Sequence, residues 1–129
     1  MSARAVIDAL RAQGWMMATA ESCTGGTIAA AITDIAGSSD VLDRGFVTYS
    51  NAAKMEMIGV SAETLERVGA VDEAIAAEMA QGALRHSNAQ VAVAVTGIAG
   101  PGGSEFKPEG RMCFGLATAD GVRTETVEF

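Results

Sequence analysis

A chain of 129 residues, 49% hydrophobic and 19% charged, has room for one domain with a buried core that needs no disulfide or metal. Its net charge of −7 argues against nucleic acid as a general partner, because phosphate-backbone binding needs a basic face. A single histidine, His86, and two cysteines, Cys23 and Cys113, without Cys-x-x-Cys or His-x-x-x-His spacing, argue against a metal site and favour reduced thiols.

No apolar run reaches membrane-spanning length. Arg4, Asp8 and Arg11 break the N-terminal stretch, which is therefore no signal peptide, and a cytoplasmic location is the expectation. Val6, Ile7 and Leu10 recur at helical spacing, so the pattern predicts a helix from Ala3 to Gln13, stopped by Gly14. A strand from Trp15 to Ala20 is expected next. Then come Glu21-Ser22-Cys23-Thr24-Gly25-Gly26 and a small-residue helix from Thr27 to Ile35. A turn cluster, Ala36 to Asp40, precedes a β-branched and aromatic strand from Gly45 to Ser50. Asn51 is the expected cap of a helix from Ala52 to Ile58 that carries Lys54.

Ser61 is placed to cap a helix from Ala62 to Arg67, and Asp72 a longer one reaching about Ser87. On the longer helix Ile75, Met79 and Ala83 form an apolar stripe. Gln90 to Val95 alternates valine and alanine as a core strand, then runs into a second glycine-rich loop from Thr96 to Ser104. Arg111 to Ala119 and Val122 to Phe129 are strands joined by an Asp120-Gly121 hairpin signal. The expected fold is α/β: a three-layer sandwich of a mixed β-sheet with helices on its faces, in a single domain spanning residues 1–129. Nothing in the sequence follows the last strand to cover the sheet there, so a partner subunit or a lost chain end is expected.

Two glycine-rich loops, each after a strand, and a third strand end bearing Tyr49, Asn51 and Lys54 are positioned to meet at the carboxyl ends of the strands. A strand–turn–helix layout suggests that Ser22 is a nucleophile and that the following helix start attracts an anion. An ordinary turn or N-cap serine is the plainer alternative. No histidine falls where it would serve as base, which leaves Lys54, provided its pKa is lowered toward neutrality. Cys23 is a rival nucleophile, and only one of two neighbours on a turn is expected to face the site. Thr96 is placed to relay a proton or donate to an oxyanion, and Tyr49 to stack on a ring or bond to Lys54. The N–H groups from Gly97 through Gly103 suit an anion nest. Lys107 and Arg111 are cations near that loop. Neither loop matches the P-loop or the dinucleotide fingerprint.

Ala20 to Gly26, Gly45 to Asn51 with Lys54, Gly69-Ala70-Val71, and Thr96 to Ser104 with Lys107-Pro108, in that order, resemble the CinA C-terminal domain family. The resemblance implies a nicotinamide-nucleotide amidase that converts nicotinamide mononucleotide to nicotinate mononucleotide and ammonia in pyridine-nucleotide recycling. It implies no cofactor and no metal, a small pyridine mononucleotide as substrate, no membrane partner, and a homodimer. It assigns Ser22 as nucleophile, Lys54 as base, and Tyr49 and Thr96 as their partners. Substrate contacts fall on Glu21, Thr24, Gly25, Gly26, Asn51, Gly97, Ile98, Ala99, Gly100, Gly102 and Gly103. The family's usual C-terminal helix, with its substrate-binding arginine, lies beyond Phe129 and is absent from this sequence. Glu109-Gly110-Arg111 also departs from the small or apolar residues usual there. A non-catalytic pyridine-nucleotide-binding module and a Cys23 amidase are the alternatives.

Overall fold

The computed structural model describes residues 2–98 and 110–129. Chain order is α1 (Ala3–Gln13), β1 (Met17–Glu21), α2 (Thr27–Thr33), β2 (Leu42–Val47), α3 (Asn51–Ile58), α4 (Ala62–Val68), α5 (Glu73–Arg85), β3 (Val91–Gly97), β4 (Arg111–Thr118) and β5 (Gly121–Glu128). A 3₁₀ turn, Ser38–Asp40, precedes β2. The five strands form one mixed sheet in the order β2-β1-β3-β4-β5. β1 runs parallel to both β2 and β3, while β4 and β5 are antiparallel to their neighbours.

Alternation along the strands divides the core into two layers. Ala18 and Ala20 of β1, Ala92 and Ala94 of β3, and Ala117 of β4 face Ile58, Leu65, Ile75 and Met79 from α3, α4 and α5. Met17 and Val91 face the other way, against Ile7 and Leu10 of α1 and Ile32 of α2. This is the expected three-layer arrangement, and alanines on the first face let α5 lie close to the sheet. Among the described residues no helix covers β4 and β5 on the face opposite α5, and Leu116 is 42% exposed there.

Strand ends are set by pairing partners rather than by the apolar runs. Trp15 still donates its N–H to Leu10 O of the α1 terminus, so β1 starts at Met17 instead of Trp15. Glu21 joins β1 because it pairs with Val47 and Val95 on either side. β2 starts at Leu42, three residues before the expected Gly45, and ends at Val47. Ser50, not Asn51, caps α3: its side chain accepts the Ala53 N–H, and Asn51 is the first helical residue. Ser61 and Asp72 cap α4 and α5 as expected.

One glycine fixes how α5 meets α3. Gly82 is buried, and a Cβ there would collide with the Ile58 carbonyl oxygen. Helix propensity alone would favour alanine by about 1 kcal/mol. Backbone contact has the larger effect here, because overpacking costs about 1–3 kcal/mol and a carbonyl cannot swing aside. Gly82→Ala is therefore expected to lower the unfolding midpoint by several degrees in a thermal melt, whereas the exposed neighbour change Gln81→Ala leaves it in place.

Candidate active site

β1 lies at the point where the sheet topology switches. Its successor β2 lies on one side and β3 on the other, both parallel to it. Loops leaving the carboxyl ends of β1 and β3 therefore part, and the crevice between them is the usual ligand position of such sheets. Ser22 stands there. Its N–H continues the ladder by bonding to Val95 O at 3.1 Å, and its carbonyl accepts the Gly25 N–H. Gly25 and Gly26 take φ of +63° and +113°, which closes the turn into α2 in a backbone region that side chains disfavour.

Successive strand residues point to opposite faces. Glu21 projects to the α2 side and Ser22 to the side of α3. Glu21 is 1% exposed, and its carboxylate is fully engaged. It accepts Thr24 Oγ1 at 2.6 Å, Ile28 N–H at 2.8 Å and Ala29 N–H at 3.0 Å. The start of α2 is thus filled by the chain's own carboxylate.

Lys54 lies in the first turns of α3 and is 1% exposed. Its Nζ lies 3.1 Å from Ser22 Oγ and donates to Thr48 O at 3.0 Å. No carboxylate pairs with it among the described residues. Burial therefore pushes the Lys54 ammonium below its ordinary pKa, and charge on the neighbouring Cys23 sulfur would oppose this.

A cavity of about 280 Å³ opens over this pair, lined by Ser22, Cys23, Tyr49, Asn51, Lys54, Ala70, Val71, Thr96 and Gly97. It gathers residues from four separated segments. Tyr49 is 73% exposed at its rim and makes no bond to Lys54 among the described contacts. Thr96 is buried, and its hydroxyl donates to Ala70 O at 2.8 Å, tying the end of β3 to the segment before α5. Gly97 fits because a Cβ would strike Met112 Sδ and press on Cys23 Sγ. Two larger hollows, about 380 and 460 Å³, open on the β4–β5 face around Leu116 and Arg123, and neither contains Ser22 or Lys54.

Not every expected residue lines this cavity. Glu21, Thr24, Gly25 and Gly26 form the turn behind Ser22, and Ile98 donates its N–H to Arg111 O at the root of the second loop. Ala99, Gly100, Gly102, Gly103 and Lys107 lie outside the described residues. Arg111 is paired with Glu128. Ala70 and Val71 had no role assigned from composition or spacing, and their place in the wall follows from the Thr96 bond.

Both Ser22 and Cys23 reach the cavity, contrary to the expectation that one would. The Cys23 sulfur sits 3.6 Å from Met112 Sδ. Burial pushes its thiol pKa up, while the N–H groups of Cys23 and Thr24 and the Lys54 charge pull the other way without reversing the shift. The two neighbours therefore differ: a hydroxyl against an amine, and a thiol held in its protonated form.

A family profile described as the CinA C-terminal domain matches residues 1–129. Nicotinamide-nucleotide amidohydrolase PncC of Enterobacter agglomerans is 63% identical over 114 residues, covering 88% of this chain and 70% of that protein. A CinA-like protein of Chlorobium phaeobacteroides (strain BS1) is 55% identical over 121 residues, which cover 91% of this chain and 29% of that protein. The crystal structure of competence/damage inducible protein CihA from Agrobacterium tumefaciens superposes with a TM-score of 0.95 at 53% identity, over 98% of this chain and 78% of that one. With the profile matched from end to end, the chain belongs to the CinA C-terminal domain family.

Proposed function

We propose that this chain hydrolyses the carboxamide of nicotinamide mononucleotide to give nicotinate mononucleotide and ammonia, with Ser22 as nucleophile and Lys54 as base. The observation that carries the reading is the contact of 3.1 Å between Ser22 Oγ and a buried lysine that has no carboxylate partner among the described residues. The substrate is taken from the PncC relative, which is named a nicotinamide-nucleotide amidohydrolase.

Chemistry follows from the pair. Neutral Lys54 accepts the Ser22 proton as Oγ adds to the carboxamide carbon. The resulting ammonium then gives that proton to the departing nitrogen, and ammonia leaves. Water attacks the acyl-serine, with Lys54 again taking a proton and returning it to Ser22 Oγ. Thr48 O anchors the amine in both halves of the cycle, since it accepts one Nζ–H throughout. The N–H groups of Cys23 and Thr24, at the turn after the nucleophile, are the donors we assign to the oxyanion. Tyr49 at the rim is assigned to the pyridine ring, and Asn51 to a polar group of the nucleotide.

Ammonia release from nicotinamide mononucleotide tests the assignment. Ser22→Ala and Lys54→Met are each expected to lower kcat by at least about 10³-fold, within the range for losing a nucleophile or base. Cys23→Ala is expected to retain most activity. Loss of activity in Cys23→Ala together with an active Ser22→Ala would hand the reaction to the thiol instead. Binding of the mononucleotide without any product, read by mass spectrometry after long incubation, would leave a non-catalytic binding module.

The depressed lysine gives a second prediction. Lys54 acts only when neutral, so activity falls as pH drops through its pKa, and this limb lies below the ordinary lysine value of 10.5. Between the folded and unfolded values the unfolded chain binds more protons, so stability climbs with pH across that window. Melting curves of the unsubstituted chain and Lys54→Met are expected to show the unsubstituted chain gaining relative stability as pH rises toward 10.5. A difference independent of pH would mean that Lys54 titrates normally.

A further inference from the structure

We infer that Glu21 is a positioning residue for Ser22 and not a ligand of the substrate. This inference rests on the Ser22–Lys54 reading above. Its ground is the placement of two consecutive residues on opposite faces of β1. Ser22 faces Lys54, and Glu21 faces α2, where its buried carboxylate accepts Thr24 Oγ1 and the N–H groups of Ile28 and Ala29.

Those three bonds span the turn. One oxygen holds Thr24 within the turn and Ile28 in the helix, and the other holds Ala29. Gly25 and Gly26 give this segment positive φ and wide backbone freedom, so the turn needs an external tie to keep one shape. Glu21 supplies it from behind, with Ser22 as the next residue. A charge-assisted bond of 2.6 Å to a hydroxyl is at the short, strong end of its class. Small displacements matter here, since a nucleophile moved by about 1 Å can cost about 10²-fold in rate.

The same geometry argues against substrate contact. Glu21 is 1% exposed, does not line the cavity, and its two oxygens already have three donors. It also uses the N–H groups of Ile28 and Ala29, so an anionic substrate group is bound elsewhere in the site.

Three variants test this. Glu21→Gln keeps the size but opposes an amide N–H₂ to one of the donors. Thr24→Val removes the hydroxyl bond, and Thr24→Ser restores it. Two rates are read: ammonia release from nicotinamide mononucleotide, and phosphonylation of Ser22 by a fluorophosphonate probe, with loss of fluoride, followed by intact mass. Glu21→Gln is expected to lose at least tenfold in kcat and in labelling rate, and Thr24→Val at least threefold, with KM within twofold. Thr24→Ser is expected to return both rates to within twofold, and melting midpoints of both Thr24 variants to stay within a few degrees of the unsubstituted chain. A raised KM with unchanged kcat would make Glu21 a substrate ligand and overturn the inference, as would rates unaffected by any variant. If Glu21→Gln does not fold, the Thr24 pair decides. If the unsubstituted chain labels at Ser22 without hydrolysing the mononucleotide, the substrate reading fails and the labelling rates still decide the inference. Absence of labelling at Ser22 in the unsubstituted chain would overturn both.

Discussion

The rest of the site depends on one buried amine that meets no counter-ion among the described residues. Lys54 is closed off from water and pairs with a hydroxyl and a carbonyl, neither of which carries a charge. Burying an ammonium in this way is costly, and the cost is relieved by release of the proton. In the proposed mechanism this environment prepares a base at the expense of stability. That exchange requires the first turns of α3 to stay pressed against the sheet. Ile58 at the other end of α3 is fully buried in the core, and Gly82 allows α5 to pass directly against its carbonyl. Packing one helical turn along from Lys54 thus anchors the helix that carries it.

β1 serves two faces with consecutive residues. Its position between two parallel strands buries both faces, so Glu21 and Ser22 each enter a different layer. An acid at a position buried on one face is tolerated because its oxygens meet donors from the turn and the α2 start. A hydroxyl on the other face meets the amine. Strand periodicity alone gives this division, and a slip of one residue in register would exchange the two. The ladder bond from Ser22 N–H to Val95 O fixes that register beyond the formal end of β1.

Much of this was legible in the sequence, for identifiable reasons. α1 is bounded by Ser2 and by Gly14 with φ +69°, both local signals, and its expected limits coincide with the observed ones. Strand limits shifted because ladder bonding is non-local: Trp15 is apolar yet bonds to α1, and Glu21 is polar yet pairs on both sides. The burial of Lys54 was not readable from its neighbours. Met55 and Met57 are substantially exposed, and the lysine is buried by Thr48 and Ser22 from other segments. The partners of Glu21 were hidden for a similar reason, since two of them lie on a helix whose orientation to the turn only the fold supplies. Ala70 carried no chemical signal, because its contribution is a backbone carbonyl.

The pairing of a serine with a neighbouring cysteine is decided by what each side chain faces. A thiol is intrinsically the better nucleophile, but only as thiolate. Cys23 lies against Met112 sulfur, and burial holds its proton on. Ser22 cannot ionise on its own either, yet it needs only a base in contact at the moment of attack. Lys54 Nζ is in that contact, with its second bond to Thr48 O aiming it. The same burial acts on both groups in opposite directions: desolvation disfavours charge, so it raises the thiol pKa and lowers that of the amine. A single enclosure thus favours the proposed use of the hydroxyl over the sulfur beside it.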